Sequence, residues 1–465
     1  MTSRPRVLLG AGIALLVILG LALSAPYFPE RFSDFRAFYC AGSAVRAHAD
    51  PYREHPLDEC ERRVRAPALS TLRSGVAVPA PFPGYVLALF ALFATLPFAA
   101  ALALWMAVMA AAVATAVVLL ARVTATPPAA SAIALGFPAL TVALPLGQIT
   151  PLVLLAIVGS AAALQSRRPR LAAACALGAL LEPHVGLALV LGMFAGVPRA
   201  RGVLVGGCAA LALLGLVVSG PLHEWEYVSA VLPAHALANL ADASQFSTAS
   251  FAYGAGFAAP RALVLGSLWY GAALGVGVVV ALRLRARAGA AATALVPPAF
   301  AVFGGAHTHL AQLAMAIPAF MFVCSIARGT RRDIAAIMTI VAAMPWLDVA
   351  PFPLLFPAAA VLSAAFMRVM KVGRSAVLLG VASLALLIAI FGAIVREHVA
   401  RGAIDAHVDG NPLAQVAWQI FVLARYTPTE SWYGLAKAPT VIAFCVLLAA
   451  LVGAAWDRRA LAREC

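Results

Sequence analysis

Long apolar runs alternate with short polar stretches along the chain, and the runs have the length of membrane-spanning helices. A basic flank, Met1 to Arg6, precedes an apolar run from Val7 to Ala25. No Ala-x-Ala cleavage site follows, so this run reads as a retained first helix rather than a signal peptide. From Gly84 to Leu120 the chain is again apolar, interrupted near Leu96 and Pro97. The interruption suggests a juxtamembrane segment, Gly84 to Leu96, followed by a span over Ala99–Leu120. Two short, broken pairs come next, Ser131–Pro145 with Ile149–Leu164 and Leu171–Leu181 with Val185–Phe194. They turn at Gly147–Gln148 and at Glu182–Pro183–His184. Each member is shorter than a simple crossing, and broken helices are tolerated only where protein or a cavity satisfies the backbone. Further spans are expected near Val203–Ser219, Ala262–Leu282, Ala290–Phe303, Leu310–Ser325, Ile334–Ala343, Phe352–Met367, Ser375–Val395 and Pro439–Val452. The expected fold is an all-α polytopic membrane protein, one integral domain over residues 1–465, with about 11–14 transmembrane helices. No internal repeat is evident.

Composition supports the pattern. Apolar residues make up 63% of the 465 and charged residues 11%, with a mean hydropathy of +0.95. A soluble enzyme would carry roughly a quarter charged residues. The net charge of +14 is no nucleic-acid footprint, because much of the excess sits in short clusters between apolar runs. Arg167/Arg168/Arg170, Arg199/Arg201, Arg283/Arg285/Arg287, Arg328/Arg331/Arg332, Arg368/Lys371/Arg374 and Arg458/Arg459/Arg463 all fit cytoplasmic loops. That assignment puts three polar segments on the outer side: residues 26–98, 220–260 and 396–438.

The first outer segment concentrates the chemistry. Phe28 to Phe82 contains eight Arg, and Phe32–Tyr52 reads FSDFRAFYCAGSAVRAHADPY. From Asp34 to Arg46 it can form an amphipathic helix, with Phe35, Phe38 and Tyr39 on one face and Gly42 allowing close approach. Asp34 is either a helix cap, in competition with Ser33, or a catalytic carboxylate. Asp50 before Pro51 reads as a turn former. Arg31, Arg36, Arg46 and Arg53 suit either a bound phosphate or anionic headgroups. Cys40 and Cys60 share this segment and can pair if the compartment is oxidising.

The D-F-x-x-F-Y-x-A-G-x-A segment ending in D-P-Y resembles the opening of the polyprenyl-phosphate-dependent mannosyltransferase-like membrane proteins. These are glycosyltransferase family 87, a GT-C-type family. Later features keep the family's order: Trp105 after Leu96–Pro97, then Phe137–Pro138 with Gly147–Gln148, and His307 and His309 in GGAHTHL. Two positions depart from it. Pro81-Phe82-Pro83-Gly84-Tyr85 stands where the family has a Tyr-Pro-Pro-Leu-like step, and Glu182 replaces the Lys of a Lys-Pro step.

The resemblance implies a GT-C-type fold with a long first outer loop. It also implies transfer of a sugar, expected to be mannose, from a polyprenyl-phosphate donor to an envelope lipid or glycan. The early-loop aspartate, here Asp34, would be the catalytic group. A carboxylate can take the acceptor's proton, and no leaving-group acid is needed when phosphate leaves. His307 and His309 are candidates for the same reaction. Because residues two apart on a helix do not share a face, one of them is expected to enter the site. Arg31, Arg36, Tyr52, Gln148, Glu182 and His184 are candidate substrate-binding residues, with Gln148 alternatively closing its own turn. No metal site is expected, since the histidine pair lacks an assured carboxylate partner, and no cofactor is expected either. The cluster Glu397, His398, Asp405, His407 and Asp409 reads as a solvated loop. Trp225, Tyr227, Gln245, Tyr253, Trp418, Tyr426 and Trp432 read as an aromatic belt or as walls of an acceptor groove. The expected location is a bacterial plasma membrane, with the site on the extracytoplasmic side. A transporter or flippase of a lipid-linked or small polar solute is the competing reading, and it would need charged groups nearer the midplane.

Overall fold

The computed structural model describes residues 32–64, 76–242, 244–305, 307–345, 355–373, 409–425 and 431–457. The expected first helix (7–25), Arg31, the span 375–395, Tyr426, the basic tail and the cluster at 397–407 lie outside the described residues. Helices make up the fold, and two isolated bridges, Arg53 to Leu413 and Gln245 to His309, are the strand-type pairings among the described residues.

Two helices form the first outer segment, α1 (Ser33–Arg46) and α2 (Glu54–Arg63). The apolar α3 (Gly84–Phe93) follows, and its 10 residues are too few to cross a bilayer. The long α4 (Phe98–Thr124) starts after Pro97 and ends at Ala125, whose φ of 50° cannot continue a helix. Its 27 residues span about 40 Å at 1.5 Å per residue. Next comes α5 (Pro128–Pro138), where proline occupies a first-turn position that needs no donor. A π-turn over Ala139–Ala143 follows Pro138 and carries the chain to Leu146, and Gly147, with φ +75°, stops it.

Helix α6 (Thr150–Gln165) completes the first broken pair, and the second comprises α7 (Pro169–Gly178) and α8 (Pro183–Gly196). A 3-10 turn over Ala179–Leu181 ends α7, and Glu182 stands in the break. Helix α9 (Arg201–Glu226) runs past Ser219, where hydropathy alone placed the end of a span. Gly220 (φ +80°) re-aims the chain, and Pro221 restarts the helix where a missing N–H costs little. A π-turn at Tyr227–Val231 then leads into α10 (Leu232–Ala238). Part of the expected outer loop 220–260 is therefore helical, since α11 (Thr248–Gly254) also falls within it.

Helices α12 (Ala259–Ala288) and α13 (Ala292–Gly304) pack as neighbours, and α13 also rests on α8. Residues 307–309 then lead into a 3-10 segment, Leu310–Ala316, followed by α14 (Ile317–Ile326). The described chain closes with α15 (Gly329–Ala343), α16 (Leu355–Val369), α17 (Ala414–Arg425) and α18 (Ser431–Trp456). Among the described residues, five helices are long and apolar enough to cross a membrane: Phe98–Thr124, Pro128–Leu146, Pro198–Ala238, Ala259–Ala288 and Lys437–Trp456. With the shorter apolar helices they make this a multi-pass, all-α membrane protein.

Two of the buried clusters among the described residues organise the interior. The larger runs through the helical bundle from α4 to α18 and is mostly aliphatic. The smaller joins α1, α2, α3 and the start of α4 around Phe35, Phe38, Phe82, Phe90 and Trp105. Gly42 is required here. A Cβ on it would lie 2.3 Å from the backbone of Phe90, so only glycine lets α1 meet α3 this closely.

Candidate active site

Asp34 lies in the first turn of α1, where a negative charge favours the helix N-terminus. Phe32, at φ 56°, precedes the helix, and its N–H donates to Pro145 O at 2.7 Å. That bond brings the start of α1 against the Gly147–Gln148 turn. Asp34 Oδ1 accepts from Ser33 Oγ at 2.9 Å, and Oδ2 accepts from the side-chain amide of Gln148. Two residues proposed separately from the sequence thus share one hydrogen bond.

The turn that carries Gln148 is held from two sides. Trp105 Nε1 donates to Gly147 O at 2.9 Å, and the Trp105 ring stacks on Phe35 at 5.4 Å. A Cβ on Gly147 would fall 2.6 Å from Phe35 Cβ. The aspartate is half-buried, so it combines a fixed orientation with access.

Neighbouring polar groups of the first outer segment mostly serve its architecture. A disulfide joins Cys40 of α1 to Cys60 of α2. Arg36 Nε donates to Glu61 Oε2 at 3.2 Å, and Glu61 Oε1 accepts from Val78 N at 3.0 Å. Burial pushes the Glu61 carboxyl up to about 8, with the Arg36 charge and the Val78 N–H opposing. Glu54 accepts from Ala77 N at 2.7 Å, and burial raises its pKa too. Arg53 bridges Asp50 (3.1 Å) and Glu226 (2.6 Å), tying the segment to α9. Asp50 Oδ1 also accepts from Tyr52 N, as the turn reading requires. Tyr52 is fully buried and donates its hydroxyl to Phe82 O at 2.8 Å, away from the Asp34 turn.

A second group of side chains gathers around the turn before Leu310. His307 and His309 have ring centroids 5.0 Å apart, and His235 of α10 lies 4.3 Å from His307. The expectation that one of the pair would enter the site rested on a helical backbone. Here His309 is extended (φ −79°, ψ 156°) and bridges to Gln245, so both rings reach one cluster. The turn is pinned by Phe246 N to Thr308 O (2.7 Å), Thr308 N to Gln245 Oε1 (2.9 Å) and Leu310 N to Ser244 O (3.0 Å). Ser244 Oγ lies 2.7 Å from His309 Nδ1, and Asp242 Oδ2 lies 3.9 Å from His309 Nε2. Burial and the neighbouring imidazoles push His307 well below the usual histidine pKa, so its ring is neutral at pH 7.

Gln312 connects this cluster to the Glu182 break. Its Oε1 accepts from His309 N at 2.8 Å, and its Nε2 donates to Glu182 Oε2 at 3.1 Å. His184 Nδ1 stands 3.9 Å from the same carboxylate oxygen. Glu182 is buried, and Asp34 lies near enough for its charge to act on it. Asp34, Gln148, Glu182, His184, His307 and His309 therefore belong to one neighbourhood, whereas Tyr52 and Arg36 support its edge.

His235, Asp242 and Gln312 were missed as site residues. His235 carried a usable signal, a titratable group within a short apolar helix. Asp242 and Gln312 offered none, because their role arises only when distant segments meet.

Comparison with known proteins supplies a class. Residues 82–304, just under half of the chain, match the family described as Glycosyltransferase family 87. The match supports that assignment for the region, and it covers Trp105, Gln148, Glu182, His184 and His235. Asp34, His307 and His309 lie outside it. No curated protein and no solved structure matches the chain.

Proposed function

We propose that the protein transfers a sugar from a polyprenyl-phosphate donor to an envelope lipid or glycan hydroxyl at the outer membrane face. The matched region and the multi-pass fold support a membrane-embedded, glycosyltransferase-like activity in general terms. The single observation carrying the finer reading is the Asp34–Gln148 pair. It places a half-buried, oriented carboxylate against the turn of a broken helix pair that belongs to the matched region.

Asp34 accepts the proton of the acceptor hydroxyl as that oxygen attacks C1 of the donor sugar. The bond from C1 to the phosphate oxygen breaks, and the phosphate departs with the electron pair. No acid is required for that departure, so one carboxylate serves where glycoside hydrolases use two. Gln148 holds the carboxylate in place. Neutral His307 can donate to a sugar hydroxyl or to the departing phosphate. Mannose remains the expected sugar.

The outer-face orientation draws support from the Cys40–Cys60 disulfide beside Asp34, since such bonds persist in oxidising compartments. The cytoplasmic alternative would place this bond in a reducing one.

The test is incubation of the purified, lipid-reconstituted protein with radiolabelled polyprenyl-phosphate sugars and, separately, nucleotide sugars, with envelope lipids as acceptors. Label transferred from a polyprenyl-phosphate donor supports the assignment. Transfer only from nucleotide sugars would reject the donor class.

A further inference from the structure

Beside the histidine turn lies a cation that the transfer step leaves unused. Lys437, at the start of the span in α18, is 6% exposed. Its Nζ donates to Gln245 O at 2.5 Å and stands 5.4 Å from the Phe246 ring centroid and 5.6 Å from that of Phe251. An ammonium has three N–H donors, and Gln245 O is the one acceptor it meets among the described residues. Asp242 acts on it through charge alone.

Gln245 adds a second donor. Its Oε1 is taken by Thr308 N, which fixes the orientation of the amide. Its Nε2 is buried, in a residue 1% exposed, and has no partner among the described residues. His307 Nε2 and His184 Nε2 are likewise buried without partners. Buried polar nitrogens without partners are costly, and a buried ammonium beside an unpartnered amide donor points to an oxyanion ligand.

Phe251 also lines a cavity of about 590 Å³ between α11 and α12, together with Thr248, Ala252, Leu265, Leu268 and Trp269. That volume is in the range of ligand sites. Leu268 and Trp269 are 67% and 51% exposed on α12, a membrane-crossing helix, so the cavity opens sideways to hydrocarbon. An apolar groove open to lipid, whose Phe251 wall packs against the buried Lys437 ammonium, suits an amphiphile with an anionic head.

We propose that this is the donor's lipid site, with the polyprenyl chain in the α11–α12 groove and the phosphate on Lys437 Nζ and Gln245 Nε2. The identity of the lipid rests on the glycosyltransferase reading; the anion and the groove do not. Lys437 thereby supplies the cation absent at the Glu182–Pro183 step. Arg36, Arg46 and Arg53 of the first outer segment are each engaged, on Glu61, on Ala94 O, and on Asp50 with Glu226.

The test is equilibrium binding of sugar-free, radiolabelled polyprenyl phosphate to the full-length protein in nanodiscs, which needs no turnover. Lys437→Met is expected to weaken binding by about tenfold or more, a loss of about 1.4 kcal/mol. Lys437→Arg keeps the charge and is expected to bind within about threefold of wild type. Ala272→Trp, which fills the groove, is expected to weaken binding without touching the ammonium. Unchanged affinity in a folded Lys437→Met protein would overturn the proposal. If that variant does not fold, unchanged affinity in Ala272→Trp would overturn it. Equal displacement by phosphatidylglycerol would overturn the donor assignment in favour of a general anionic-lipid site. Lys437-dependent binding without sugar transfer from any lipid donor would keep this site and remove the glycosyltransferase reading. Transfer with a donor KM unaffected by Lys437→Met would do the reverse.

Discussion

The two sides of the site are built in opposite ways. The Asp34 side draws most of its residues from 33–105, packs eight aromatic rings there and adds a disulfide. The histidine side collects single residues from five places between Glu182 and Lys437, joined by side-chain hydrogen bonds across the bundle. Around Asp34 the carboxylate oxygens are engaged, whereas the histidine side keeps three buried nitrogens without partners. On the proposed reading, the first construction fixes the reacting group and the second leaves polar nitrogens for a ligand.

On the proposed mechanism, the largest effect should come from removing the Asp34 carboxylate. Asp34→Asn keeps the shape and should lower the transfer rate by about 10²–10⁴-fold while donor affinity and thermal stability hold. Initial rates beside a binding isotherm check this, and normal turnover would move the base elsewhere.

Loss of the disulfide attacks the rigidity of the same side. Cys40→Ser with Cys60→Ser should destabilise the protein by about 2–4 kcal/mol, visible as a lower thermal midpoint in detergent. The histidine side should respond to a different change. Gln312→Leu strands the His309 N–H and the Glu182 carboxylate together, at about 1–3 kcal/mol for a buried group left unpaired. A variant as stable as wild type would show that Gln312 does not clamp the two segments.

The smallest effect is one of pH. Burial holds the Glu61 carboxyl at about 8 against an ordinary value of 4.5. Between those values the folded loop keeps a proton that the unfolded chain releases, so this group's contribution to stability falls as pH rises through that window. Thermal midpoints recorded from about pH 5 to about pH 9 should decline less steeply in Glu61→Gln. An unchanged slope would assign the pH dependence to another group.

The same contrast explains what the sequence made legible. The α1 helix, its aromatic face, the close approach at Gly42 and both broken pairs could be read because their causes are local: spacing, glycine and proline. The Cys40–Cys60 pairing was visible as an option within one segment. The Asp34–Gln148 contact was not, since it depends on Phe32 N meeting Pro145 O across more than a hundred residues. Hydropathy ended a span at Ser219 because Gly220–Pro221 looks like a terminator, yet the helix resumes beyond it. The rule that residues two apart on a helix do not share a face does not apply to His307 and His309, because His309 is extended and the two rings lie 5.0 Å apart. Lys437 carried only the faint signal of a lone charge in an apolar run.

The central claim is that Asp34 faces an outer, donor-accessible pocket. It is tested most directly by Asp34→Cys, in a background where Cys175, Cys208, Cys324, Cys445 and Cys465 are replaced, exposed in intact cells to a membrane-impermeant maleimide. The account predicts labelling from outside, slowed when a polyprenyl-phosphate sugar is bound. Labelling that appears only after the membrane is permeabilised would contradict it.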